Sequence, residues 1–133
     1  MNINALKQYK SVDLRATVAT ATPHQLIAML FNGAQEALAK AAGAIERKDI
    51  GLRTAQINRA TDIVINLKGT LNLETGGEIA SRLDGLYDYM VRRLAEANRD
   101  NDEVKVREVR GLLTEIADGW SQIPAAEHNV TNP

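Results

Sequence analysis

TPHQLIAMLFNGAQEALAKAAGAIERKD, residues 22 to 49, contains one whole helix and the start signal of the next. Thr22 has the chemistry of an N-cap, Pro23 suits the first helical position, and Gln25 stands three residues on, where its side chain can complete a capping box. Leu26, Leu30, Ala34, Ala37, Leu38, Ala41 and Ile45 then recur at helical spacing up to Arg47 or Lys48. Asp49 is placed to cap a second helix.

That second helix carries Leu52, Ile57, Ala60, Ile63, Val64, Leu67 and Leu71 on one stripe, and Glu74-Thr75-Gly76-Gly77 ends it with glycine where a left-handed stop needs one. A third carries Ile79, Leu83, Leu86, Tyr87, Met90, Leu94 and Ala97 to Arg99, and Asp100-Asn101-Asp102 forms a polar turn. The fourth runs from about Glu103 to Ile123 through Val106, Val109, Leu113, Ile116 and Trp120, and Pro124 stops it. Four apolar stripes of about 20 residues, each about 30 Å long, joined by short turns, predict an all-α, antiparallel up-down four-helix bundle over residues 22–123. Residues 1–21 are expected to form a short helix at Ile3 to Tyr9 and then a mobile linker, since Thr17, Thr20 and Thr22 interrupt the periodicity. Residues 124–133 are expected to be a disordered tail.

Composition agrees and narrows function. The chain has 133 residues, suited to one core, with 44% apolar but only 4% aromatic residues. Sixteen Lys and Arg against seventeen Asp and Glu give a net charge of -1, too little field to gather nucleic acid or an anionic membrane. There is no cysteine, so disulfides, thiolate metal sites and thiol catalysis are excluded. Neither a signal-peptide run nor a stretch of roughly 20 apolar residues is present, so neither export nor stable membrane insertion is expected and the protein is placed in the cytoplasm.

The polar residues form no active site. His24 and His128 have no second ligand one helical turn away and are read as surface residues. Asp84 and Asp88, like Glu74 and Glu78, are one turn apart, yet fall at the edge of the core stripe; the Glu-x-x-His pairs of a di-iron bundle are missing. Arg92, Arg93 and Arg99 are balanced by Asp88 and Glu96 at helix-neighbour spacing. Thr75-Gly76-Gly77-Glu78 lacks the lysine and strand of a nucleotide loop and is read as a turn. Asn129-Val130-Thr131 matches the glycosylation sequon without a leader to expose it. No cofactor, metal or enzymatic activity is expected.

What remains is apolar surface that a core need not use. Met29, Ile65 and Tyr89 fall away from their own stripes, the first helix has a broad face reaching Phe31 and Ala42, and Leu6 and Tyr9 have no stripe to join. Either these are incidental exposures or they line a partner groove. The residues alone reach a helical partner-binding module.

Longer strings add a resemblance. Thr22-Pro23-His24-Gln25-Leu26-Ile27, Leu30-Phe31-Asn32-Gly33-Ala34 and the Lys48-Asp49 turn resemble the flagellar secretion chaperone family FliS. So do Leu71-Asn72-Leu73-Glu74-Thr75-Gly76-Gly77-Glu78-Ile79-Ala80, Leu86 to Leu94, and Leu112-Leu113 to Trp120. The resemblance spans roughly residues 5 to 123. It implies a bundle that binds the C-terminal segment of flagellin in the cytoplasm, blocks premature filament assembly and assists delivery to the export apparatus, with the export gate and other flagellar regulators as further partners. It also associates an N-terminal aromatic residue, here Tyr9, with client binding. Phe31-Asn32 stands where the family commonly has Tyr-Asp, so a phenol or carboxylate contact there is not available to this chain. Leu6, Tyr9, Met29, Phe31, Ile65 and Tyr89 are the expected client-binding residues. The alternatives are an enzyme using the carboxylate pairs and an adaptor that binds an unrelated amphipathic helix.

Overall fold

The computed structural model describes residues 20–123 and 130–132. Among them are four α helices: α1 (Pro23–Glu46), α2 (Ile50–Gly69), α3 (Gly77–Asp100) and α4 (Glu103–Ser121). The capping signals do what their chemistry allows. Thr22 accepts from the Gln25 amide while the Gln25 side chain accepts from the Thr22 amide, closing the box. Asp49 accepts from the Leu52 amide, and Asp102 from those of Val104 and Lys105. Each such cap is worth about 1 kcal/mol.

The helices form a ring in which α1 packs on α2 and α4, and α3 packs on α2 and α4. Neighbours run in opposite directions. His24 and Glu46, near the two ends of α1, reach Trp120 and Arg107 of α4, while Arg53 and Lys68 of α2 reach Asn98 and Asp84 of α3. The core collects Phe31, Leu38, Ile57, Val64, Leu67, Met90, Leu94, Val106, Val109 and Leu113. The interior face of α1 is rich in alanine: Ala34, Ala37, Ala41 and Ala44 are wholly enclosed, and such small side chains let neighbouring backbones come close.

Several expectations are corrected. α2 stops at Gly69, with Thr70 as C-cap, well before Glu74. Leu71 is still buried, but in a connection rather than on the helix, where it forms an isolated antiparallel bridge with Thr131. The left-handed glycine, Gly77 (φ 56°), begins α3 instead of ending α2, and the left-handed turns after α1 and α3 fall to Lys48 and Asn101. Ile79 is 61% exposed and leaves the α3 stripe to Ala80, Tyr87, Met90, Leu94 and Ala97. Within the expected tail, residues 130–132 are described: Val130 and Thr131 are buried, and Val130 joins the core. The short helix and linker expected before Thr20, and His128, lie outside the described residues.

Candidate functional site

α1 carries two apolar stripes side by side. Ile27, Phe31, Ala34, Leu38, Ala41 and Ile45 face the core and are buried. Pro23, Leu26, Leu30 and Gly33, displaced by one residue and so by about 100° of rotation, face α2 instead. Opposite them α2 presents Arg59, Ile63 and Asn66 at successive turns, followed by its C-cap Thr70. Between the two rows lies an open groove of about 880 Å³, floored by Leu26, Ile27, Met29, Leu30 and Ile63 and edged by Arg59, Asn66, Thr70 and Asn132. A Cβ added to Gly33 would lie 3.3 Å from Ile63 Cδ1, so glycine is what lets Ile63 seat against α1 here. An apolar floor with a few donors at the rim is the chemistry that receives one face of an amphipathic segment.

A second concavity, about 520 Å³ between α1 and α4, is lined by Ala39, Ala42, Gly43 and Gly111 together with Glu46, Glu103, Arg107 and Arg110. It has no large apolar side chain to anchor a partner. Among the described residues no group of three or more His, Asp or Glu could hold a metal ion. No described helix is long and apolar enough to cross a membrane. Asp84 and Asp88, one helical turn apart, share Lys68 at 3.2 and 3.6 Å. The Asp84 carboxylate, first by its hydrogen bond, raises the Lys68 pKa, the mark of a surface ion triad.

Of the six expected binding residues, the four that are described do not form one surface. Met29 lines the groove. Phe31, 2% exposed, is a core residue, because the broad apolar face of α1 divides into two stripes and Phe31 sits on the inner one. Ile65, 50% exposed, is two residues and about 200° of rotation from Ile63, so it projects away from the groove. Tyr89 is on the opposite side of the ring, where its hydroxyl donates to Glu108 at 2.8 Å. Leu6 and Tyr9 lie outside the described residues. The groove residues outside that expected set are Leu26, Leu30 and Ile63, all assigned to core stripes and of which Leu30 and Ile63 do pack against the core, and Arg59, Asn66 and Asn132. For Leu26 and Leu30 the signal is the second i, i+4, i+7 row on α1, which periodicity alone merges with the first into one wide face.

His24 also differs from expectation. Its ring stacks on Trp120 with centroids 5.0 Å apart and planes 15° from parallel. Trp120 Nε1 donates to the His24 carbonyl at 3.2 Å, and His24 Nε2 lies 3.2 Å from the Trp120 carbonyl, so the two residues latch the start of α1 to the end of α4. The fixed start of α1 sets the position of Pro23 and Leu26 at the groove mouth.

The seam between α3 and α4 is built from charge. Glu108 accepts from Arg93 Nε and from Tyr89, both at 2.8 Å, and Glu96 meets Lys105 at 3.0 Å and Arg93 at 3.2 Å. The Arg93 guanidinium also lies 5.7 Å from the Tyr89 ring centroid. Hydrogen bonds from Arg93 first, then Tyr89, hold the Glu108 carboxyl below the usual range, and those from Lys105 first, then Arg93, do the same for Glu96.

Comparison with known proteins gives this geometry a context. The family model of flagellar protein FliS matches residues 5–127. The chain is 46% identical over 121 residues to the flagellar secretion chaperone FliS of Salmonella typhimurium, covering 90% of each. It is 45% identical over 121 residues to the flagellar secretion chaperone FliSB of Pseudomonas aeruginosa, covering 91% of this chain and 96% of that one. To the flagellar secretion chaperone FliS of Vibrio cholerae it is 37% identical over 127 residues, covering 96% and 93%.

Proposed function

The chain belongs to the FliS family of flagellar secretion chaperones, and on that premise we propose that it binds the C-terminal segment of flagellin in the cytoplasm through the α1–α2 groove. Bound there, the segment is withheld from filament assembly until it is passed to the flagellar export apparatus. The observation that carries this reading is the groove itself: Leu26, Met29, Leu30 and Ile63 offer an apolar floor that the core covers only in part. An amphipathic segment with anchors at helical spacing can lay its apolar face on that floor. Covering a large surface offsets the few kcal/mol that ordering a disordered segment costs.

In this reading Leu6 and Tyr9 belong to a lid whose mobility changes when the client binds. The chaperone acts by equilibrium binding, without catalysis or cofactor, and the export gate and other flagellar regulators are further partners. The test is a pulldown with full-length flagellin beside flagellin lacking its C-terminal segment. Capture of the first and loss of the second is expected. Equal capture of both would overturn the proposal and favour an adaptor for an unrelated helix.

A further inference from the structure

One end of the groove is walled by Asn132, and Asn132 is there because residues 130–132 pair with the connection between α2 and α3. The pairing is antiparallel. Asn72 N–H donates to the Val130 carbonyl at 2.8 Å, and Asn132 N–H donates to the Thr70 carbonyl at 2.8 Å. These bonds flank Leu71 and Thr131, which therefore face each other as a non-hydrogen-bonded pair, the closer of the two antiparallel kinds. Val130 is buried beside Gly76. A Cβ on Gly76 would come within 3.1 Å of Val130 Cα and 2.6 Å of the Asn72 carbonyl, so glycine both permits the tight turn and leaves room for a strand backbone to approach it.

We propose that Thr70–Asn72 is a docking edge for an extended stretch of the client, and that residues 130–132 occupy it in the free chain. The inference rests on the flagellin reading above. Three observations support it. The edge exposes one donor, Asn72 N–H, and one acceptor, the Thr70 carbonyl, which any extended peptide with a small apolar residue can pair in the same way. It is continuous with the groove, since Thr70 and Asn132 line both. And among the described residues the present occupant is held by two backbone hydrogen bonds and the buried Val130 and Thr131, a holding small enough to be exchanged for a longer partner. Beyond the edge, Leu73 is 57% exposed, so a client that replaces residues 130–132 can continue from the groove onto further apolar surface. The C-terminal residues thus compete with the client for one end of its site.

The chain has no cysteine, which makes a clean lock available. Leu71→Cys with Thr131→Cys, made in the full chain, joins the facing pair when oxidised and releases it when reduced. The ligand is a synthetic peptide of the flagellin C-terminal segment. The oxidised form should bind at least tenfold more weakly than the same protein reduced, and comparing two states of one variant cancels any loss from replacing Leu71. Equal affinity in both states overturns the inference and leaves the flagellin reading standing, whereas no binding by the unaltered chain overturns both. Amide exchange on the unaltered chain gives a second test that needs no variant. Adding peptide should expose the Asn132 amide while Asn72 stays protected, because its donor passes to the client. Protection of both amides, or loss of both, would mean that the edge is not shared.

Discussion

The α1–α2 seam and the α3–α4 seam lie across the ring from each other and are finished in opposite chemistry. On the first, Leu26, Met29, Leu30 and Ile63 leave an open apolar floor. On the second, Tyr89, Arg93, Glu96, Lys105 and Glu108 form a chain of hydrogen bonds and ion pairs across the two helices. A four-helix ring needs its inner stripes for stability; its outer seams are free to differ. Partly exposed ion pairs contribute little to stability, typically below about 1 kcal/mol each. Their effect here is to satisfy the polar groups of that seam locally, whereas the α1–α2 seam keeps an open apolar floor.

The contrast is most strongly broken by putting charge on the apolar floor. Met29→Glu should weaken binding of the flagellin C-terminal segment by about 2–4 kcal/mol, roughly 30- to 1000-fold in Kd, because the bound client would bury an unpaired carboxylate. The melting temperature should move only slightly, since the Met29 side chain is not enclosed by the core. Calorimetric titration beside thermal melting separates the two quantities, and a collapse in stability with unchanged affinity would place Met29 in the core.

Tyr9→Ala should cost about 1–2 kcal/mol of client affinity, the usual scale for a tyrosine that anchors an interface, with little change in melting. A stability loss of about 3–5 kcal/mol, the range for truncating a buried aromatic, would make Tyr9 a core residue and end the lid reading.

The polar seam should respond in the reverse sense. Tyr89→Phe removes a hydroxyl that donates to Glu108 and should lower the melting temperature slightly. Client affinity should stay within about twofold, as expected of a residue on the far seam. A tenfold loss of affinity would return Tyr89 to the client-binding surface.

The smallest effect is acid sensitivity. Glu96 and Glu108 are held below their ordinary range by Lys105 and Arg93, so their pairing favours the folded state above the unfolded glutamate pKa of about 4.3 and is lost as pH falls through the lower folded values. Chemical denaturation should therefore show stability falling below about pH 4.5. Glu108→Gln should flatten that fall; an unchanged slope would assign it to other carboxylates.

Which parts were legible depends on the range of the interactions involved. Thr22, Pro23 and Gln25 specify a helix start through contacts three residues apart, and Asp49 and Asp102 do the same, so local sequence suffices for three of the four helix starts and most of the core stripes, whereas α3 begins at Gly77 without a side-chain cap. Where a residue's fate depends on a distant neighbour, local periodicity was mute. Leu71 fits the α2 stripe by spacing, yet is buried because Thr131 pairs with it across 60 residues of chain, and Val130 enters the core for the same reason. His24 is polar in the sequence and a latch in the fold because Trp120 stacks on it. The division of one broad face of α1 into a core row and a groove row likewise came from packing. Helical spacing states which residues share a direction; only the placement of α2 and α4 around that helix determines which direction is inside.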